Sequence, residues 1–407
     1  MISTQHTDIA IIGAGPVGTA LALWLLRDSP WHITLIDARM PDVAIQDTRS
    51  LAISQGSRIL LENLSAWPQQ ATPIQTIHVS QQGTFGRTLI RHSDYGYEAL
   101  GYVVPYRMLL KTLETTLSER YAKTASFDWW WGSHVTQVDQ TANHHLSLEM
   151  AGQHAGFLHA KIVVHAEGNS YQQPAHVQHQ DRKIPSTIQK HQQRDYQQTA
   201  LISTVTCTAP YPFWAWERFT SEGPLALLPL TESHDCKTFS LVWVGSPETT
   251  ARRFDWPNSV FLENLNHAFG TRMGTFQTVE QRQCYPLSLY LAPTQVQGLR
   301  VVIGNAAQTL HPVAGQGFNL GLRDAWCLAA ALHDQLDIQA LTNFRQARLK
   351  DRQRTVMITD LLPRLFSTTH QPLKNLLGTA LTTIDLVAPL RHQLARQMMF
   401  GYRAHCP

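Results

Sequence analysis

TDIAIIGAGPVGTALALWLL, residues 7–26, followed by HITLID at 32–37, decides the fold of this 407-residue chain. Thr7 to Ile12 is short, apolar and β-branched, the composition of a central parallel strand buried on both faces. GAGPVG follows, and then a run that reads as a helix. In that motif Gly13 permits the tight turn, Gly15 lets a pyrophosphate approach the backbone, and Gly18 lets the helix pack on the strand. The helix N-terminus presents unpaired N–H groups to phosphate oxygens. The second strand ends in Asp37, about twenty residues further on, where a carboxylate accepts a bond from a ribose hydroxyl. Strand, glycines, helix, strand and terminal acid together predict a Rossmann-type dinucleotide site. They do not choose between FAD and NAD.

The same stretch contains a trap. Ile9 to Leu26 carries no charge and would pass for a membrane span by hydropathy. Asp8 precedes it where an export signal carries Lys or Arg, and glycines and Pro16 break its middle. A buried strand, turn and helix explain it better, and the expected location is cytoplasmic. The length suggests two domains. Apolar residues are 43% of the chain and the net charge is only +3, with no basic tract interleaved with aromatics, which excludes a nucleic-acid partner. The five cysteines, Cys207, Cys236, Cys284, Cys327 and Cys406, are scattered and never form a CxxC pair. They predict reduced thiols, no disulfide framework and no metal site. From Arg345 onward ten Lys/Arg face three Asp, a basic segment suited to an anionic surface or a protein partner.

Four later segments carry the chemistry. DTRS at 47–50 leads into LAISQGSRILLENL at 51–64, which reads as a helix. GYVVPYRMLLKTLETTL at 101–117 is an extended segment running into a helix with Arg107 at its start. KIVVHAEGNS at 161–170 is a strand ending at Glu167-Gly168. LRVVIGNAAQTLHPVAGQGFNLGLRDAWCLAAAL at 299–332 gives a strand, a glycine-rich turn and a long helix. An arginine such as Arg49 near a flavin would stabilise negative charge on the reduced ring.

This order resembles the group A flavoprotein aromatic hydroxylases of the para-hydroxybenzoate hydroxylase type, over Thr7 to about Arg354. GNAAQTLHPVAGQGFNLGLRDA, with ERFTSEGPLALLPL at 217–230, is similar to the ubiquinone-pathway members, the 2-polyprenyl-6-methoxyphenol hydroxylases in particular. The resemblance implies that Gly13, Gly15, Gly18 and Asp37 hold the ADP half of non-covalent FAD. It puts Arg49 along the flavin and Arg107 against the cofactor. Glu167 and Gly168 stand at a motif tied to FAD and to NAD(P)H, the implied reductant. Gly304 and Asn305 stand at the ribityl motif, and Pro312, Gly315, Gly317 and Asn319 line the isoalloxazine. Two positions depart from the superfamily pattern. Asn305 replaces an Asp but keeps an acceptor and gains donors, and Glu167 is one methylene longer than the usual Asp. The implied activity is hydroxylation of a polyprenyl methoxyphenol by dioxygen through a flavin hydroperoxide, giving the 1,4-benzoquinol. His311 is a candidate for phenol deprotonation, since its ordinary pKa of about 6.5 suits the task.

The implied fold is α/β, α+β overall. A Rossmann-type FAD-binding domain takes residues 1–75, 100–175 and 285–350, and an antiparallel β-sheet substrate domain takes 76–99 and 176–284. C-terminal helices fill 351–407. Trp214, Trp216, Trp243 and Phe239 are candidates to line a tunnel for an isoprenoid tail. The Gln/His-rich stretch at 172–198 lacks regular ligand spacing and reads as an exposed loop. PFWAWERF has the Trp-x-Trp of flavin halogenases without the Ile-Pro that completes it, which excludes that chemistry. Pro363, Pro372 and Pro389 are expected to divide the C-terminus into short helices. Their basic, apolar surface is suited to peripheral contact with the inner membrane or to ubiquinone-pathway protein partners. Two other functions stay open, a hydroxylase of another phenol or quinone intermediate and a non-enzymatic prenyl-binding escort. The intact glycine motifs favour the enzyme.

Overall fold

The computed structural model describes residues 4–40, 47–141, 145–168, 192–230, 237–368 and 370–401. Strand β1 (Thr4–Ile12) lies at the centre of an eight-stranded sheet. On one side it pairs in parallel with β2 (Ile33–Ile36), and β2 pairs with β8 (Phe127–Trp130). On the other it pairs with β11 (Gly156–His165), which pairs with β18 (Arg300–Val302). Antiparallel strands β9 (Ser133–Gln140) and β10 (Leu146–Gly152) branch from β11, and β17 (Val296–Gln297) forms the far edge. Alternate residues of β1 face opposite cores. Ile9 and Ile11 meet α1 (Pro16–Asp28), α3 (Tyr106–Tyr121) and α6 (Gln316–Ala331), while Ala10 and Ile12 meet the side closed by β9 and β10.

A second eight-stranded sheet carries β5 (Thr76–Gln81), β6 (Arg87–Arg91), β12 (Gln192–Cys207), β13 (Trp214–Phe219), β14 (Pro224–Leu230), β15 (Thr238–Gly245), β16 (Phe276–Leu291) and β19 (Gln308–Thr309). It is not wholly antiparallel, since β13 and β5 run parallel. The hairpin β5–β6 comes from a distant part of the chain, so no short turn forces it to oppose β13. Helices α4 (Pro247–Asp255) and α5 (Asn258–Phe269) lie against the same sheet.

The remaining sheet joins β3 (Ser50–Ser54), β4 (Thr72–Ile74) and β7 (Gly101–Pro105). Here the reading of 51–64 as one helix is corrected. Ser54 accepts the Ser57 N–H and caps α2 (Gln55–Asn63), so the helix starts late. The residues before it, with their backbone groups still to satisfy, pair with β7 instead.

Three helices end the described chain, α7 (Ile338–Phe366), α8 (Gln371–Leu386) and α9 (Ala388–Phe400). Pro372 and Pro389 sit in first turns, where no N–H partner is lost. Pro363 does not divide anything. It lies within the last turn of α7, where only one ladder bond is sacrificed. That helix also runs straight across residue 350, the expected domain edge. α8 is tied to the second sheet, with Thr88 donating to the Leu381 carbonyl at 2.8 Å and the Leu89 N–H donating to Asp385 at 2.7 Å. No helix among the described residues is long and apolar enough to cross a membrane. Among the described residues Cys207 and Cys284 are free thiols, and Cys236 and Cys406 lie outside them. No metal-ligand cluster occurs among the described residues, and most of the Gln/His-rich stretch lies outside them.

Candidate functional site

The two large sheets face a shared cavity of about 1500 Å³. At its Rossmann end the glycines act in three different ways. Gly13 has φ +102° and a Cβ there would stand 2.6 Å from Glu167 Cα, so only glycine can make the turn beside β11. Gly18 is a packing residue, since its Cβ would stand 2.0 Å from the Gly13 carbonyl oxygen. Gly15 caps α1 and faces the cavity, and a Cβ placed there would meet nothing nearer than Tyr106 Oη at 3.9 Å. The α1 N-terminus and this open space would fit a diphosphate such as that of FAD.

Asp37 lines the same end and is 8% exposed. One of its carboxylate oxygens accepts the Ala14 N–H at 2.8 Å, which ties the acid to the glycine turn. The other accepts the Arg39 N–H at 2.8 Å, and the Arg39 guanidinium bonds both oxygens at 3.0 Å. Arg39 also reaches the Ala14 carbonyl at 3.0 Å. Sequence reasoning missed this residue. Its position two residues past the strand-ending acid was the available signal, and its planar fork suits an adenine or phosphate edge.

Further along, Arg49 donates to Asp47 at 2.9 and 2.5 Å and lies 5.7 and 5.3 Å from the ring centroids of Tyr106 and Tyr285. Its bonds to Asp47 hold the guanidinium above its ordinary pKa, against the opposing effect of burial. All four residues line the cavity. Arg107 does not. It stands exposed at the start of α3, and its neighbour Tyr106 takes the place expected for it.

The end of β11 contributes Glu167 and Gly168 to the cavity lining, with Glu167 Oε1 3.2 Å from His165 Nδ1, and the turn from β18 into α6 contributes Asn305, Pro312, Gly315 and Gly317. Gly304 has φ +61° and packs against Val17 and Gly321, below the surface rather than on it. Gly315 takes the left-handed conformation at φ +58° and caps α6. Gly317 has nothing within 4 Å of a Cβ position, so its open side faces the cavity. Asn319 is buried, and its carboxamide is committed to backbone groups of Ala52, Ser54 and Gly315 at 2.8 Å each. It holds the glycine turn against β3 rather than lining the space above it.

His311 lines the cavity and is 1% exposed. Its Nδ1 accepts the Val313 N–H at 3.2 Å, which places the proton of a neutral ring on Nε2. Burial lowers its pKa to about 4. At neutral pH it is a neutral imidazole, edge-on to Tyr196.

Beyond the glycine turn the cavity becomes apolar. Ala200, Ile202, Ala215, Ala226, Val242 and Val244 line it from the second sheet, and Leu361, Leu377, Leu381 and Ile384 from α7 and α8. The predicted aromatic tunnel is largely on the wrong face. Phe239, Trp243 and Trp216 are all buried with Phe261 in the core beneath α5, and of the four aromatics only Trp216, although it sits on that core face, also borders the cavity. Strand residues alternate between faces, and the bulky rings fill the helix-covered side while small aliphatic side chains leave the inner side open.

A family model described as FAD binding domain matches residues 6–359. A protein named ubiquinone hydroxylase UbiL, from Rhodospirillum rubrum, is 28% identical over 96% of this chain and 89% of its own length. The 3-demethoxyubiquinol 3-hydroxylase of Escherichia coli K12 is 26% identical over 96% of this chain and 98% of its own. Among solved structures, p-nitrophenol 4-monooxygenase PnpA of Pseudomonas putida DLL-E4 superposes with a TM-score of 0.76. That match covers 99% of this chain and 100% of PnpA at 14% identity, and so speaks to the fold alone.

Proposed function

The chain belongs to the FAD binding domain family, and on that premise we propose that it is an NAD(P)H-using monooxygenase that hydroxylates the ring of 2-polyprenyl-6-methoxyphenol to the 1,4-benzoquinol. The observation that carries this reading is the continuity of the cavity. One space runs from the diphosphate cradle at Gly15, past Arg49 and the turn at Gly315 and Gly317, into an apolar chamber between sheet and C-terminal helices. A ring held at the turn would leave its hydrocarbon tail among Ile202, Val242, Leu361 and Leu381, where each buried CH₂ contributes about 0.8 kcal/mol.

Bound FAD supplies the activation of dioxygen; the chain supplies binding, orientation and dryness. Asp37 and Arg39 would hold the adenosine end and Asn305 the ribityl chain, and the guanidinium of Arg49 with the N-terminus of α6 would stabilise negative charge on the ring system. His311 would not serve as the base: neutral at working pH, with its proton on Nε2, it is suited to donate a hydrogen bond to a phenolate oxygen rather than to take a phenol's proton. The apolar walls exclude water, which would otherwise divert the reaction.

The names of the relatives support a ubiquinone-pathway ring hydroxylase, and they keep a second reading in view, hydroxylation at another ring position of a later intermediate. Profiling quinone intermediates in a strain lacking the protein separates the two. Accumulation of the polyprenyl methoxyphenol is expected, whereas accumulation of a product already hydroxylated at that position favours the second reading. Delivery of such a lipid also suggests peripheral contact with a membrane. Met357, Leu376, Leu386 and Leu390 are exposed on α7 to α9 among basic residues such as Lys374 and Arg396. Arg391 is not part of that surface, being engaged with Asp94 and the Asp385 carbonyl. Leu376→Glu with Leu386→Glu is expected to lower retention on anionic vesicles, and unchanged retention would exclude this surface.

A further inference from the structure

Across the β13–β5–β6 edge of the second sheet, the register places Arg218 beside Ser80 and Ser80 beside Arg87. In-register neighbours point to the same face, so the two arginines flank one serine with their backbones about 10 Å apart. The next row of that face holds Trp216, His78 and Leu89. This face is opposite the cavity face of the hairpin, to which Ile77, Val79 and Ile90 belong.

Among the described residues the charges in this row lack acidic counterparts. Arg218 is half-buried, donating to the Ala268 carbonyl at the end of α5 at 3.0 Å and reaching Ser80 Oγ at 3.5 Å. Arg272 lies in the turn directly after α5, four residues beyond the Ala268 carbonyl that Arg218 holds, and so brings a third guanidinium to this edge of the sheet. Among the described residues no ion pair includes Arg87, Arg218 or Arg272. His78 sits beneath them, 2% exposed and 4.5 Å from the Trp216 ring, with neither ring nitrogen hydrogen-bonded. Burial first, then Arg272, Arg87 and Arg218, lower its pKa to about 4, and no carboxylate acts in the other direction.

Three guanidinium groups gathered without an acid, one of them partly desolvated, repel one another. Elsewhere the chain neutralises buried arginines, as where Arg348 bonds Asp324 and Asp351 at 2.7 and 2.8 Å. The forked donors of arginine match the oxygens of a phosphate. We infer that Arg87, Arg218 and Arg272 form a second anion site, on the outer face of the substrate sheet, that takes the phosphoryl group of a phosphate ester. Such a group comes either from a soluble phosphate ester or from a phospholipid headgroup. The inference does not depend on which phenol the enzyme hydroxylates.

The test is calorimetric titration of inorganic pyrophosphate into FAD-saturated protein, so that the cofactor's own phosphate cradle is filled. Saturable binding is expected, weakened at least tenfold in Arg218→Gln. Because Arg218 also bonds the end of α5, Arg87→Gln with Arg272→Gln provides a second variant built on exposed residues, with the same expected loss and unchanged flavin content and turnover. Absence of binding to the parent, or equal binding to parent and double variant, would overturn the site. A second arm names the source. Retention on phosphatidylglycerol vesicles that falls at least threefold in the double variant assigns a lipid headgroup, and retention that holds while pyrophosphate affinity falls assigns a soluble ester.

Discussion

Asn319 on α6 accepts the backbone N–H of Ser54 at 2.8 Å, so one side chain joins the last residue of β3 to the helix that starts at the glycine turn. The same carboxamide donates to Ala52 and Gly315. Asn319→Ala strips partners from buried backbone groups, each costing about 1–3 kcal/mol. A loss of roughly 2–4 kcal/mol in urea unfolding is expected, together with faster flavin release. Asn319→Asp keeps the acceptor and loses the donors, and should fall between. A variant as stable as the parent would refute the role.

The glycines separate packing from binding. Gly18→Ala would force a Cβ to 2.0 Å from the Gly13 oxygen, so the strand–helix unit must shift, and both flavin content and thermal stability should drop. Gly317→Ala meets no protein atom within 4 Å. Its apoprotein should unfold at the parent's temperature while FAD affinity or turnover falls. Equal flavin affinity and turnover in Gly317→Ala would show that nothing binds closely there.

For Arg49 the expected outcome is a functional loss with little structural cost. Its pair with Asp47 is partly exposed, with the arginine side chain 43% accessible, and such pairs contribute about 0–1 kcal/mol. Arg49→Ala should keep the fold but slow reduction of the flavin by NAD(P)H or weaken flavin binding, measured by stopped-flow absorbance and by titration. Parental values in both would remove Arg49 from the site. Acid precipitation of the parent should release all of its flavin, since binding is proposed to be non-covalent.

Two buried histidines predict an acid limb of stability. Burial lowers His311 to about 4, and burial with the neighbouring arginines does the same to His78. In the unfolded chain each takes up its proton near pH 6.5. Between those values the unfolded state binds more protons, so stability is full above about pH 7 and is lost as pH falls through 6.5 towards 4. By pH 5 the loss is about 2 kcal/mol per histidine. Urea unfolding at pH 7.5 and 5.0 should show a smaller drop in His311→Gln and in His78→Gln than in the parent. Identical pH dependence in all three proteins would contradict neutral buried histidines.

The sequence by itself determined what depends on neighbours along the chain. A strand, a tight turn at Gly13, a helix and the acid at Asp37 lie within about thirty residues, and their steric demands are local. The same holds for the turn at Gly315 and for the proline-led starts of α8 and α9. Tertiary structure alone decided which face each strand turns inward. One residue of strand parity separates Val242, in the cavity, from Trp243, in the core beneath α5, and aromatic content gives no sign of it. It also decided that Asn319 serves β3 across 265 residues of chain, that Tyr106 rather than Arg107 faces the cavity, and that Arg87 and Arg218 share a row with Ser80. Such placements follow from which strands pair and in what register. Those pairings are chosen by the burial and hydrogen bonding of the whole chain at once, and no short window of sequence contains that sum.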